Sequence, residues 1–336
     1  MHALLLLSTL VVQQSSIRGT VISAETREPI GFTRVTLSPQ TGSQFTDAGG
    51  AFQFAGIPAG TYLLSVRQIG YVPVDTQLVL DGVAPLHLTI GLRRLAIELP
   101  PITVAAVPCV KPGAPDSSDA ALLAVFEQLQ ESARRYRDLA NAYPFQYTLE
   151  LSEREINQRG DTGRPYTQRL RFRSSDYQPY EVGRVVAPAW GPWGNPATTV
   201  VIRSAELEDL GNETFIANHC FRLAGLDTLG GTALVRIDFE PAQRIRTADM
   251  AGSAFLHPDT YELRYTITSL TRPERSALAD VRSLTFQTRF RNIAPGVPLQ
   301  DSLTAVTTYR YGPPRRAKIE TQRTLDVRFR RGPPPP

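Results

Sequence analysis

Five glycines fall within the stretch Phe45–Tyr71, FTDAGGAFQFAGIPAGTYLLSVRQIGY, and the residues after them constrain the fold of the whole chain. A phosphate-cradling loop needs a strand, then glycines with converging backbone N–H groups, then a helix whose N-terminus faces the anion. Here the glycines lead into TYLLSVRQIGY, where Tyr62, Leu64 and Val66 alternate with Leu63, Ser65 and Arg67, the period of a strand. No Lys-Ser or Lys-Thr pair comes after them. The glycines are turn residues: Asp47-Ala48-Gly49-Gly50 turns between SQFT and AFQF, and Gly56 to Gly60, with Pro58 among them, turns again into TYLLSVR.

From Ile17 to about Leu92 the segments IRGTVIS, FTRVTLSP, SQFT, AFQF, TYLLSVRQ, DTQLVL and LHLTIGL recur as short strands with no helix-period segment between them. That spacing predicts a small β-sandwich. The ordered set Gly19 and Val21, Pro29 and Val35, Thr46-Asp47 and Gly50 with Phe52 and Phe54, then Gly60, Tyr62, Gly70 and Tyr71 resembles the carboxypeptidase regulatory-like domain. That domain is a transthyretin-like Greek-key β-sandwich, found as an accessory module in many exported bacterial proteins. Phe32 departs from the resemblance, standing where such domains often have a small residue. The resemblance implies fold and export for residues 17–93, and it does not imply peptidase activity.

At 336 residues, 42% hydrophobic and 20% charged, the chain has room for two domains with cores of their own. Its net charge of +4, from 36 basic against 32 acidic residues, is too balanced to call for nucleic acid as a partner. All the basic residues but Lys111 and Lys318 are arginines, which present planar, bidentate donors. The opening MHALLLLSTLVVQQSS holds an apolar run too short to span a bilayer but suited to a secretory signal, so residues 1–16 read as a signal peptide. A buried first strand is the alternative, because no Lys or Arg precedes the run and no A-x-A site comes after it. Cys109 and Cys220 are an even count that in an exported chain reads as a disulfide, with separate thiols as the alternative. His2, His87, His219 and His257 are scattered rather than set at ligand spacing, and no metal or other cofactor is expected.

Residues 94–117 form a proline-bearing linker. Asp119 to Ala142 then gives an amphipathic helix with Leu122, Val125, Phe126, Leu129, Ala133, Tyr136 and Leu139 on one stripe, Ser117 or Ser118 as N-cap and Pro144 as the stop. Its polar face mixes acid and base, which favours packing on a sheet over lying on a membrane. FQYTLELSERE and YTQRLRFRS flank NQRGDTGRP as a hairpin, and further strands are expected in ATTVVIRS, TALVRIDFEP, TYELRYTITSL, RSLTFQTRFRN, SLTAVTTYRYG and IETQRTLDVRFRR. The chain is thus mainly β, with residues 118–330 forming one amphipathic helix and a curved antiparallel β-sheet, half-barrel-like, and residues 331–336 a disordered Pro-rich tail. The order of the helix, YPFQYTLELSE, NHCFRL, VRIDFEPAQ and GSAFLHPDTYELR looks like a family of uncharacterised envelope proteins that also begin with a regulatory-like domain. It is similar, more remotely, to the half-barrels that carry lipoproteins across the periplasm. Larger relatives end in a membrane barrel, which is not expected where the sequence ends at RRGPPPP.

No His-x-x-Glu or H-E-x-x-H zinc pattern, G-x-S-x-G elbow, Walker loop or dinucleotide fingerprint occurs, so no catalytic set is expected. Glu208-Asp209, and Glu150 with Glu153, read as solvated positions rather than a glycosidase pair. Two patterns point to binding instead. VVAPAWGPWGNP holds Trp190 and Trp193 in a Pro/Gly-rich loop, either a binding anchor or a plug for the open end of the sheet. Arg169, Arg171 and Arg173 share one strand face in RLRFR, as Arg328 and Arg330 do in VRFRR. They form either a basic face toward anionic lipid or an acidic partner, or a solvated face neutralised from adjacent strands. The expectation is a non-enzymatic exported protein of the periplasm or outer membrane. Its sandwich is a spacer or docking module, and its second domain is a sheet that binds an envelope protein, a lipid or a glycan. The alternative is a periplasmic carrier or chaperone for a lipid or lipidated protein, marked by an apolar cavity between helix and sheet.

Overall fold

The computed structural model describes residues 14–39, 42–98, 108–157, 159, 163–190, 196–294, 297–311 and 317–332. Most of the expected signal segment, residues 1–13, lies outside the described residues, as do residues 333–336 of the tail. The chain divides between Leu95 and Ala96 into two compact units.

Among its described residues the first unit has seven strands: β1 (Gln14–Ser23), β2 (Arg34–Ser38), β3 (Ser43–Phe45), β4 (Ala51–Pro58), β5 (Gly60–Arg67), β6 (Val74–Leu80) and β7 (Leu86–Leu92). They form the two sheets of a sandwich, in the orders β4-β1-β7 and β3-β2-β5-β6. Strand alternation sends Tyr62, Leu64 and Val66 inward to join Ile17, Val21, Phe52 and Phe54 in one core, while Leu63 faces out. In the DAGG turn Gly50 has φ 75°, and a Cβ there would lie 2.4 Å from the Val21 carbonyl oxygen, so only glycine fits. The second glycine turn is tighter than expected. β4 continues through Gly56 to Pro58, whose neighbour Ile57 pairs with Ser15, and Ala59 alone separates it from β5. Gly56 at φ 69° and an irregularity between Ser15 and Ile17 absorb the kink that would otherwise end the strand. Phe32 sits in a left-handed turn, φ 55°, half-buried, and its amide donates to the Thr46 carbonyl.

The second unit opens with α1 (Ala120–Ala142) and the hairpin β8 (Phe145–Ile156) and β9 (Tyr166–Arg173). A separate two-stranded sheet comes next, β10 (Val186–Trp190) with β11 (Pro196–Ile202), then a 3-10 turn, Leu207–Gly211, and the short α2 (Glu213–Ala217). Seven strands complete it: β12 (His219–Leu229), β13 (Thr232–Pro241), β14 (Asp249–Leu256), β15 (Leu263–Thr271), β16 (Val281–Ala294), β17 (Val297–Tyr309) and β18 (Ala317–Phe329). β12 to β18 run as an antiparallel meander, and the earlier hairpin attaches beside the last strand, giving the order β12-β13-β14-β15-β16-β17-β18-β8-β9. The sheet is curved and not closed into a barrel. Val186–Trp190, expected as loop, is a strand. Its one proline, Pro188, is tolerated because a two-stranded sheet has outer edges where a missing amide costs no ladder bond.

The N-cap of α1 is Asp119, whose carboxylate accepts from the Leu122 amide at 2.9 Å, and not Ser117 or Ser118. Ser118 turns its amide and hydroxyl to Asp116 instead. The seven residues of the apolar stripe are all buried, and the helix lies on β12, β13, β17 and the 3-10 turn. Phe126 meets Phe221 with ring centroids 4.6 Å apart. The polar flank is buried as well: Gln128, Glu131, Ser132 and Arg135 are each at most 5% exposed. A curved sheet encloses the sides of a helix along with its underside, and Glu131 and Arg135, one turn apart, are not left without partners.

Cys109 and Cys220 form a disulfide, with Cα atoms 5.5 Å apart and a sequence separation of 111. It pins the linker to the start of β12, where the Gly113 amide donates to the His219 carbonyl and the Gln243 amide to the Cys109 carbonyl, each at 3.0 Å. Chain entropy assigns a loop of this length about 4–5 kcal/mol. Replacing both cysteines by serine is expected to lower the unfolding free energy of the second domain by about 2–5 kcal/mol in urea titrations, and an unchanged midpoint would contradict this.

Candidate functional site

On the β8–β9 hairpin the period of two separates an inner set, Tyr147, Leu149, Leu151, Gln168, Leu170 and Phe172, from an outer set that includes Glu150, Arg169, Arg171 and Arg173. The inner side is fixed by Phe145, whose ring lies 6.3 Å from that of Tyr136 on α1 and 5.3 Å from that of Phe329. Tyr147 stacks on Phe172 at 5.7 Å. Burial fades along this face toward the edge of the sheet: Leu149 is buried, Phe172 half-buried, Leu170 37% exposed and Tyr166 64% exposed. Beneath α1 the interior is filled by Phe126, Leu129, Leu139, Phe215 and Phe239. Exposed apolar side chains remain on the inner face at both terminal strands, Leu226 alone on β12 at 43% and Leu170 with Tyr166 on β9.

A recess of carboxyl groups lies above α1. The 3-10 turn lies on α1 through a small-residue contact, a Cβ at Gly211 falling 3.0 Å from that of Ala133, and this holds Glu206, Glu208 and Asp209 above the helix. Asp209, 0% exposed, accepts from Arg203 Nη1 and Nη2 at 2.7 Å each, from Tyr177 Oη at 2.9 Å and from the Glu206 amide at 2.8 Å. Arg203 also donates to the Gln178 carbonyl, so one bidentate pair ties the segment after β9, the end of β11 and the 3-10 turn together. Glu208 is half-buried, and burial, then the neighbouring Glu206, pushes its carboxyl up to about 8. Glu206 reaches solvent, yet protein surrounds it closely enough that desolvation, with Asp209 adding and Arg203 opposing, pushes it up to about 7. Burial first, and then these two carboxylates, raise the Tyr147 phenol. The sequence reading of Glu208-Asp209 as solvated does not hold: Arg203 and Tyr177 supply the partners that let Asp209 leave water. The dense acids of AELEDLGNE, interrupted by Leu207 and Leu210, are the signal that was available.

The other expected residues are dispersed over the chain. Arg169, Arg171 and Arg173 are exposed on the outer face of β9, with Arg169 paired to Glu150 at 2.8 Å. β8 separates them from Arg328, which stands opposite Gln146 in register, as Arg173 does on the other side. Trp190 closes β10, its backbone opposite Pro196, while its side chain and the whole of Trp193 lie outside the described residues. His219 is fully buried, with Nδ1 2.8 Å from the Phe215 carbonyl oxygen, Nε2 3.1 Å from that of Met250 and Asp249 Oδ1 3.7 Å away. Tyr180 Oη donates to Asp249 Oδ2 at 2.6 Å. Burial lowers the His219 imidazole and raises the Asp249 carboxyl, and with both side chains 0% exposed this Tyr-Asp-His network lies within the core. A depression of about 790 Å³ on the sandwich is lined by Arg18, Gln44, Gln53 and His87 among others, and one of about 240 Å³ lies between Arg154 and Ile319 on the outer side of β8 and β18. Among the described residues no three His, Cys, Asp or Glu are grouped to hold a metal ion, and no helix is long and apolar enough to cross a membrane.

The raised carboxyls have a stability consequence whose sign is fixed. From the ordinary glutamate value of 4.5 up to about 8 the folded chain keeps protons that the unfolded chain has released, so stability falls as pH rises through that window. Water at Glu206 screens its share, which leaves Glu208 the better probe. In denaturant titrations between about pH 5 and about pH 8, Glu208→Gln is expected to lose less stability than the parent chain, and parallel pH profiles would contradict the assignment.

Residues 16–93 match the family model of the carboxypeptidase regulatory-like domain. No curated protein matches the sequence. Among solved structures, the group B streptococcus pilus 2b backbone protein is 17% identical over 24% of this chain and 41% of its own, with a TM-score of 0.20. The 5-hydroxyisourate hydrolase of Klebsiella pneumoniae is 19% identical over 26% of this chain and 100% of its own, with a TM-score of 0.18. A LolA superfamily protein of Nitrosomonas europaea is 9% identical over 61% of this chain and 94% of its own, with a TM-score of 0.35. Residues 16–93, with their two-sheet core and glycine turns, are a carboxypeptidase regulatory-like domain.

Proposed function

We propose that the protein is a non-enzymatic, exported protein of the cell envelope whose second domain binds a partner or ligand at the β8–β9 end of its half-barrel. In this reading the sandwich serves as spacer or docking module. The observation that carries it is the exposure of Leu170 and Tyr166 together on the inner face, continuous with the half-buried Phe172. Apolar side chains left together at the edge of a core mark interaction sites more often than single exposed residues do. The disulfide supports an oxidising compartment outside the cytosol.

A second reading, a carrier for a lipid chain or a lipidated protein, draws on the same face, since Tyr147, Leu149, Leu170 and Phe172 offer an apolar wall. The filled space beneath α1 weighs against a chain threaded there and favours a ligand lying along the hairpin. Fractionation combined with a photoreactive side chain at position 170 tests both. Recovery with the envelope fractions and crosslinks from position 170, absent from the buried position 129, are the expected result, and the crosslinked species, lipid or protein, chooses between the readings. Recovery solely in the cytosol would overturn export, and silence at position 170 would overturn the site.

A further inference from the structure

β9 is the last strand of the nine-stranded sheet, and among the described residues nothing pairs with its far side. The Ser174 amide donates to the Phe145 carbonyl on β8, whereas the Arg173 amide points the other way, to Asp176 Oδ2 at 2.8 Å. The alternation of an antiparallel ladder therefore turns the backbone groups of Thr167, Arg169 and Arg171 outward from the sheet. Such an edge is a template for another strand.

The side chains say which strand. On the outer face Arg169 is neutralised by Glu150, but Arg171 stands opposite Thr148 and Arg173 opposite Gln146, beyond which comes Arg328. Among the described residues Arg171 and Arg173 form no ion pair, and both are exposed. On the inner face Leu170 and Phe172 lie between them. A second copy of the chain fits this edge badly. Antiparallel pairing of β9 with itself sets the outward-turned residues Thr167, Arg169 and Arg171 of two copies opposite one another on one face, bringing arginine against arginine, and like charges directly opposite are destabilising.

From this geometry we propose that β9 docks an extended segment of a partner protein by strand addition, the segment carrying acidic side chains at alternate positions, opposite Arg171 and Arg173, with apolar ones between. The inference rests on the reading of the β8–β9 end as the binding face and names the partner's chemistry. Main-chain bonds to Thr167, Arg169 and Arg171 supply affinity, the alternate side chains supply specificity, and the Asp176 bond to the Arg173 amide marks where pairing stops.

The test uses the full, disulfide-intact chain and a capped synthetic octapeptide of alternating glutamate and valine, followed by fluorescence anisotropy. Saturable binding is expected, weakening with added salt. Affinity should fall tenfold or more for Arg171→Glu with Arg173→Glu, whose unchanged circular dichroism and thermal midpoint would show the fold intact. A peptide N-methylated at alternate amides, and one with lysine for glutamate, should each lose binding to the same degree. No binding of the acidic peptide would overturn the proposal and leave the arginines as protection against edge association. Equal binding of the lysine or N-methylated peptide would overturn it by removing charge readout or strand pairing. Binding to anionic vesicles through the same arginines with no effect of the acidic peptide, or dimerisation through β9 in sedimentation, would also overturn it. Crosslinking from position 170 that persists when the peptide fails would leave the broader reading standing without this one.

Discussion

Burial of α1 organises the second domain. Phe126, Leu129 and Leu139 on its stripe are almost wholly removed from water, each contributing roughly 2–3 kcal/mol of transfer free energy. The 3-10 turn packs on the helix along with β12, β13 and β17, and within this enclosure Gln128, Glu131 and Arg135 are inside and need partners. The segments that do not belong to the sheet are held by point attachments: the disulfide at the start of β12, and the Arg203–Asp209 pair beneath the β10–β11 arm. Because the sheet stops before closing, its terminal strands keep exposed apolar side chains on the inner face, Leu226 on β12 and Leu170 with Tyr166 on β9, each beside a strand edge.

Much of this was legible in the sequence, for identifiable reasons. The sandwich could be read because its turns demand glycine and its strands alternate cleanly, as Tyr62, Leu64 and Val66 do. The helix could be read from its stripe, and the disulfide from an even cysteine count. What failed were features set by tertiary enclosure. Ser118 is as good an N-cap as Asp119 in sequence, and only its engagement with Asp116 removes it. The polar flank of α1 and the Glu208-Asp209 pair carry hydrophilic residues that a local reading sends to solvent, whereas the curved sheet, Arg203 and Tyr177 draw them in. β10 was hidden by Pro188 and its Gly/Pro surroundings, the composition of a loop.

The candidate site was half visible. Alternation in RLRFR gave the arginine face, and the same alternation held the inner set, Leu170 and Phe172, which gained meaning only once β9 proved to be the terminal strand. Apolar wall, open edge and exposed arginines meet on the 8 residues of that strand, and each alone has a bland explanation: a fraying core, a sheet that had to stop somewhere, a charged guard on an edge. Their coincidence on one strand is what supports a binding role.

Amide hydrogen exchange of the unbound chain, resolved by residue, tests the central claim most directly. The amides of Thr167, Arg169 and Arg171 should exchange fast, those of Gln168, Leu170 and Phe172 should be protected by β8, and those of α1 should be slowest. Equal protection of both sets on β9 would mean that the edge is already covered, and would contradict an open half-barrel with a docking strand.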